Sequence, residues 1–582
     1  MFGKSMSSRV ARPADTDAAS AQPADADTAQ DPDTAQAPDT AQAPDTAQDD
    51  AAQARGAAQD SPKRRALWAR PWGVVALWAL GAIIAFGCYL RLAQTRAANS
   101  DAASQALQAW DMLHGNLLLH GWGLSDVSFY TTELPQYMLL ELVHGLNTGV
   151  IHMAAAMTYT LAVLLAALLA KGKAKGPEAL VRVFVAAGIM LAPQLGSGVN
   201  ILMSSPDHIG TAVPVMVVWL ILDHARPRWY IPVIVGVIFA WVYMADRVAL
   251  YTGLLPLALV CATRVYHAVV VKRRPLTSQW YEIALGAAAV AATAVAGLAL
   301  TVIHAMGGFS SRNVATQLAS GSNLFLHLGI TVEGLLLLGG ADFLGMHLAG
   351  WTAITMLHVV GVFLAGWGTW LAARRFLRDV DLVSQVLVVA VVINVTAYLL
   401  STKSHTVLES RQIAAVLPFS AALAGRMLAR RLIAARLVPV LLIVLVGYFF
   451  GLVREINQAP VPAQDQQLTT WLEAHHLHTG LSGYWESNIV TLASGNRVQI
   501  RFVAPSHGLI ARSNYESKAE WYQPDHNYAN FVVLFPGVAG YKGFTYKQAV
   551  LATFGNPAHI YHVGRYQVLV WNKNLLRELR SA

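Results

Sequence analysis

The sequence is short of charge and nearly free of cysteine. Only 13% of its 582 residues are Asp, Glu, Lys or Arg, about half of what a water-soluble globule carries. Most of the chain therefore does not face water. The two cysteines, Cys88 and Cys261, both fall inside apolar runs, so neither a disulfide framework nor a metal knuckle can be built from them. The sequence has no GxSxG elbow, no GxxxxGK(S/T) loop and no HExxH helix, which argues against serine-hydrolase, NTPase-driven and zincin chemistry. Although the net charge is +8, the basic residues come in short clusters and form no basic face interleaved with aromatics. No nucleic-acid partner is expected. His114 and His120 have no third ligand at zinc spacing, so no metal and no cofactor are expected either.

What the sequence has is apolar length. Hydrophobic residues make up 55% of it, and about eleven runs are long enough to cross roughly 30 Å of hydrocarbon. They lie near 72–92, 149–170, 179–199, 208–223, 229–246, 249–271, 281–305, 350–373, 381–400, 411–428 and 433–453. The basic clusters "SPKRRALWAR", "KGKAKG", "RPR", "VKRRP", "ARRFLR" and "ARRLIAAR" occupy every second connection, as cytoplasmic loops do. The expectation is a multi-pass plasma-membrane protein with its N-terminus in the cytoplasm and its C-terminal domain outside. The long outside connections are 93–148 and 306–348; the first holds "ELPQYMLLELVHGL", too short to span and suited to the interface.

Three regions follow. Residues 1–62 repeat "DTAQAP" and are rich in Ala, Asp, Pro and Gln, so they read as a disordered cytoplasmic tail. No charged-then-apolar leader precedes the first run, which reads as an uncleaved anchor. Residues 63–456 form the membrane part. Residues 457–582 read as a soluble extracytoplasmic domain, a small α/β or α+β unit. There "QQLTTWLEAHHL" and "KQAVLATFG" look helical, and "NRVQIRFVAP", "NFVVLFPG" and "YQVLVWNKN" look like strands.

Ionisable residues collect where these runs end. In "SDAASQALQAWDMLHGN", Ser100 suits a helix N-cap, and Asp101 sits in the first turn, where the helix dipole favours a carboxylate. Asp101 shares a face with Gln105 and Gln108, while Asp111 lies about 15 Å further along. Asp101 is then either a charge at a helix end or a working carboxylate. "STKSHTVLESRQIAAVLP" supplies Lys403, His405 and Arg411, either interfacial anchors or phosphate ligands. Asp207 and His208 read as a helix start or as substrate ligands, and Asp246 and Arg247 as a self-neutralising pair or as substrate ligands. Trp122, Tyr130 and Tyr137 fit an interfacial belt or a sugar-stacking surface.

The stretch "SDAASQALQAWDMLHGN" resembles the first outside loop of the GT-C superfamily of lipid-linked-sugar glycosyltransferases: an Asp, an Ala-rich helical stretch, Met-Leu, then Gly and a polar residue. "GNLLLHGWGLSDVSFYTTELPQY" and "REIN…LTTWLEAHHL…GYW" are similar to actinobacterial-type membrane proteins of that superfamily. The resemblance implies a GT-C-like helical membrane fold and transfer of a sugar from a polyprenyl-phosphate donor to a glycan, lipid or protein acceptor of the cell envelope. It places Asp101 as the general base, with Asp111 as second choice. Arg411, with Lys403 and His405, would bind the donor phosphate, and Asp207, His208, Asp246 and Arg247 the substrate. Ala102 stands where many members carry a second acid, which speaks against a paired-carboxylate or metal-dependent version. The alternatives are a non-catalytic assembly or binding protein and, with less support, a transporter or flippase. Transporters tend to show repeats and broken helices at mid-membrane, and this sequence shows neither clearly.

Overall fold

The computed structural model describes residues 71–191, 198–204, 207–312, 317–345, 347, 350, 352–378, 380–463, 465–535 and 545–580. The expected disordered tail, 1–62, and the first basic cluster lie outside the described residues.

Among the described residues, eight helices are long and apolar enough to cross a membrane: Trp72–Ala93, Gly149–Lys171, Leu250–Val271, Leu276–Ala305, Gly321–Leu338, Thr352–Arg374, Leu382–Leu400 and Val438–Ile456. A ninth is possible if the pair Val407–Ile413 and Val416–Ala434, bent by 57°, counts as one span. About eleven runs were expected; the count here is of the described residues, and the run 179–199 falls partly outside them. Gly176–Leu191, Ile209–His224 and Tyr230–Ala245 each have 16 residues. At 1.5 Å per residue the last two reach about 24 Å, less than the hydrocarbon is thick, while the first borders residues outside those described. The chain as a whole is a polytopic helical membrane protein with a C-terminal α/β module.

Gly321–Leu338 was not expected, because it falls in the connection taken for a loop. Its start is pinned beside the end of Leu382–Leu400: the Ala319 N–H donates to the Leu400 carbonyl at 2.8 Å, and the His327 ring nitrogen lies 3.3 Å from the Leu399 carbonyl. Its far end, Gly339, presses against Val362, midway along Thr352–Arg374. Gly321–Leu338 thus starts beside the end of one span and packs at its far end against the middle of another.

Small residues hold the bundle together. Gly149–Lys171 buries Ala154, Ala155, Ala162, Ala166 and Ala170, and it packs on Gly176–Leu191, Ile209–His224 and Val416–Ala434. A Cβ on Gly368 would stand 2.5 Å from the Ala424 Cα. Between lipid-bathed helices such close approach replaces the hydrophobic drive that water would supply. Trp72–Ala93, by contrast, exposes Val75, Leu77 and Ile83 and lies at the rim, where lipid covers it.

The C-terminal module is one mixed sheet in the order Leu509–Arg512, Gln499–Ser506, Thr479–Ser482, Phe531–Leu534, Tyr566–Val570, His559–Val563. The strands Gln499–Ser506, Thr479–Ser482 and Phe531–Leu534 run parallel, and the outer pairings are antiparallel. The helices Gln466–Ala474, Tyr484–Ala493 and Lys547–Phe554 complete it; the last ends at Gly555, whose φ of 72° suits glycine. A second, three-stranded sheet joins this module to the membrane part. Trp122–Leu124 pairs parallel with Ser310–Ser311 and antiparallel with Ser517–Lys518. The fit is close enough that a Cβ on Gly123 would meet the Asn514 carbonyl oxygen at 1.9 Å.

Within the module Glu486 is buried in the first turn of its helix, and its Oε1 has no hydrogen-bond partner among the described residues. Burial and the nearby Asp465 carboxylate push it up to about 8, against a smaller opposing pull from Arg565. The folded state thus holds a proton that the unfolded chain releases near pH 4.5. The associated stability is complete below that pH and is lost as pH rises towards 8. Melting curves taken from pH 5 to 8 should fall less steeply for Glu486→Gln than for the wild type; parallel curves would show that the carboxyl is not buried neutral.

Candidate functional site

The helix Ser100–Leu113 carries the leading candidate. Its N-cap is Asn99, not Ser100: the Asn99 side chain accepts from the Ala102 N–H at 3.1 Å. Ser100 is turned away and donates to the Trp485 carbonyl at 3.0 Å. Asp101 keeps its first-turn place and faces the C-terminal module, where the Tyr484 hydroxyl donates to its Oδ1 at 2.5 Å. Burial lifts the Asp101 carboxyl above its usual range, while the Tyr484 hydrogen bond and the Arg411 charge pull it partly back. Its second oxygen has no hydrogen-bond partner among the described residues.

Ser104 and Gln108 of this helix face Glu516, a residue absent from the sequence-based expectations. Glu516 Oε2 accepts from the Ser104 hydroxyl and from Gln108 Nε2, both at 2.5 Å. Its Oε1 accepts from the Ser125 N–H at 2.8 Å. A buried carboxylate so completely matched locks the module onto the helix and fixes where Asp101 stands. Tyr515, whose ring centroid lies 5.1 Å from that of Tyr484, completes this wall.

Across from Asp101 lie the cations. Arg411, on the turn Val407–Ile413, contacts Glu409 Oε1 at 3.4 Å, and its charge acts on both Asp101 and Asp207. Lys403 pairs with Asp126 at 3.4 Å. A polar cavity of about 320 Å³ lies at this end, lined in part by Asp126, His208, Asp246, Arg247, Tyr398 and Lys403; Asp101 and Arg411 are not among its lining residues. Beside it the helix backbone widens into a π-turn, Leu250–Leu254, a distortion frequent at functional sites.

Asp207, His208 and Asp246 form one buried group. The His208 ring nitrogen Nδ1 stands 2.7 Å from Asp246 Oδ2, which also accepts from the Thr211 hydroxyl. Asp207 Oδ1 accepts from the His208 N–H at 2.7 Å. Burial raises Asp207 to about 6, against the lowering pull of His208 and Arg411. Glu133, at the start of the short helix Glu133–His144, is also buried and is pushed to about 8 by desolvation.

The structure thus gathers Asp101, Lys403, Arg411, Asp207, His208, Asp246 and Arg247 at one end of the bundle. It does not bring in Asp111 or His405. Asp111 accepts from Asn116 Nδ2 at 2.6 Å and Trp122 Nε1 at 2.8 Å and pairs with Lys518 at 3.3 Å. It braces the inter-module sheet, apart from the gathered residues. His405 is exposed, and its ring nitrogen reaches only the Thr402 carbonyl, at 3.2 Å. Trp122 and Tyr137 are buried in the core and Tyr130 donates to the Leu117 carbonyl at 2.8 Å; they form neither a belt nor a stacking surface. Asp126, Glu133, Tyr484, Tyr515 and Glu516 were missed. A lone Glu opening an apolar helix was the one legible signal among them.

No protein-family model matches this sequence, and no curated protein matches it. Among solved structures the chain is similar to the crystal structure of the Archaeoglobus fulgidus oligosaccharyltransferase. The likeness covers 78% of this chain and 67% of that one, at 12% identity and a TM-score of 0.44, a level that carries no argument about activity.

Proposed function

We propose that the chain is a GT-C-like glycosyltransferase that moves a sugar from a polyprenyl-phosphate donor to a cell-envelope acceptor, with Asp101 as general base. In this reading the end of the bundle bearing the C-terminal module faces the outside of the plasma membrane. One observation carries the reading. A partly buried carboxylate has one oxygen anchored by Tyr484 and the other unengaged, within electrostatic reach of Arg411. A polar cavity lies at the same end of an otherwise apolar bundle.

The chemistry suits these groups. The unengaged Asp101 oxygen takes the proton of the acceptor hydroxyl as that oxygen attacks the anomeric carbon. The bond from that carbon to the phosphate oxygen breaks, and its electron pair leaves with the phosphate. Arg411, Arg247 and Lys403 neutralise the charge that develops there. A carboxyl raised by burial is a stronger base than one in water, and it is still ionised near neutrality when its pKa stays below that pH.

The experiment offers purified protein a panel of radiolabelled polyprenyl-phosphate hexoses and pentoses together with host envelope fractions. Label moving into the envelope fraction supports the reading; the absence of transfer from every donor overturns it. Arg411→Ala should weaken binding of polyprenyl phosphate by about 10–100-fold, the worth of about 1.5–3 kcal/mol in a charge-assisted contact. Arg411→Lys should weaken it less, because it keeps the charge and loses only the bidentate fork. Equal and negligible losses in a binding titration would reduce Arg411 to an interfacial anchor.

A further inference from the structure

The C-terminal module carries a second polar hollow that plays no part in the site above. Residues 524–528 together with Lys573, Asn574, Arg577 and Glu578 line an open hollow of about 620 Å³. A shallower hollow of about 440 Å³, beside Asn556 and Asn572, joins it at Lys573, which lines both. The two adjoin at Lys573 as one shallow groove on the surface, each part within the size range of ligand pockets.

The groove is rigid. Asn574 forms its floor and spends its whole side chain on the backbone. Its Nδ2 donates to the carbonyls of Pro524 at 3.2 Å and Asn527 at 2.8 Å. Its Oδ1 accepts from the N–H groups of Ala529 at 3.1 Å and Leu576 at 3.2 Å. Asn527 in turn donates from Nδ2 to the carbonyls of Glu520 at 2.8 Å and Gln523 at 3.3 Å. A loop tied down in this way costs little ordering entropy when a ligand binds.

The rim has the opposite character. Tyr528 is 55% exposed. Among the described residues, the side chains of Asp525, His526, Tyr528 and Arg577 make no hydrogen bond or ion pair, although all four are polar and stand around one hollow. Lys573 is paired with Glu578 at 2.7 Å. Donors and acceptors are mixed, the charge is balanced, and one aromatic face is uncovered.

That combination selects the ligand class. A protein partner needs an apolar anchor cluster, whereas among the described lining residues Tyr528 alone offers an exposed ring, Phe554 and Trp571 of the shallower part being buried. A nucleic acid needs a one-signed cationic track, and Asp525 and Glu578 interrupt it. A lipid tail needs an apolar wall, which is missing. A sugar presents a C–H face to an aromatic ring and a set of hydroxyls that both donate and accept, so it matches every feature. We infer that this groove is a glycan-binding site on the C-terminal module, with Tyr528 as the stacking platform and Asp525, His526 and Arg577 as hydroxyl ligands. The inference does not depend on Asp101 being a base.

The test uses the full chain in nanodiscs, probed by saturation-transfer NMR with methyl glycosides and disaccharides of glucose, mannose, galactose and N-acetylglucosamine. At least one disaccharide should take up saturation. Tyr528→Ala and Arg577→Ala, both at exposed positions, should each weaken its binding at least about tenfold with melting unchanged. Asp101→Asn should bind it like the wild type. Absence of transfer to every probe overturns the inference, as does binding that Tyr528→Ala leaves intact. Binding lost only in Asp101→Asn would put the sugar in the membrane site and overturn it equally. An active glycosyltransferase without groove binding refutes the groove alone, and groove binding without transfer refutes the proposed activity alone.

Discussion

Replacing Asp101 by Asn should lower sugar transfer by about 10²–10⁴-fold, the usual contribution of a positioned general base, while the protein folds as before. The substitution is nearly isosteric. The Asn carbonyl oxygen can still accept the Tyr484 hydrogen bond that anchors Oδ1 at 2.5 Å, so the wall formed by Tyr484, Tyr515 and Glu516 stays in place. The free oxygen loses its ability to take a proton. Stability moves in the other direction. Burial raises the Asp101 carboxyl in the folded state, so its ionisation opposes folding as pH climbs through that raised value. An amide has no such penalty, and Asp101→Asn should melt at or above the wild-type temperature at pH 7. A drop in both melting and transfer would mean that the carboxylate is structural. Unchanged transfer would remove Asp101 from the reaction.

The same residue marks the boundary between what could be read in the sequence and what could not. Asp101 was legible because helix starts and acids at the edges of apolar runs leave local signatures. Its setting was not. Tyr484 lies 383 residues away, and the Ser104–Glu516 contact spans 412; no local pattern announces contacts of that separation. Asp101 and Asp111 look alike in sequence, and only the tertiary placement of Trp122 and Lys518 turns one of them into a brace. Among the helices, the long apolar runs were legible because hydrocarbon demands about 20 apolar residues in a row. Ile209–His224 and Tyr230–Ala245 are short because run length says little about where the backbone turns. Gly321–Leu338 was overlooked because His327 and Glu333 interrupt it. The C-terminal sheet was half legible. Its three strongest apolar strands were expected; the short inner strand Thr479–Ser482 and the edge strands, His559–Val563 with its exposed residues and the four-residue Leu509–Arg512, were not.

The largest expected loss of stability lies at the opposite end of the bundle, at Arg426. Its Nη2 donates to Asp223 Oδ1 and Asp381 Oδ1, each at 3.0 Å, and its Nη1 donates to the Leu169 carbonyl at 2.7 Å. One guanidinium thereby ties Val416–Ala434 to the ends of Gly149–Lys171, Ile209–His224 and Leu382–Leu400. The Arg426 and Asp223 side chains are 6% and 7% exposed, so water cannot replace the contact. Arg426→Met should cost about 3–5 kcal/mol, because it leaves a buried carboxylate and a carbonyl without their donors. The measurement is equilibrium unfolding in mixed micelles as the fraction of denaturing detergent rises. Adding Asp223→Asn to Arg426→Met should recover much of the loss, since the second change removes the stranded charge rather than a favourable contact. Additive losses in the double variant would show that Asp223 has other partners, and a loss below about 1 kcal/mol for Arg426→Met, the range of an exposed pair, would show that water reaches the group after all.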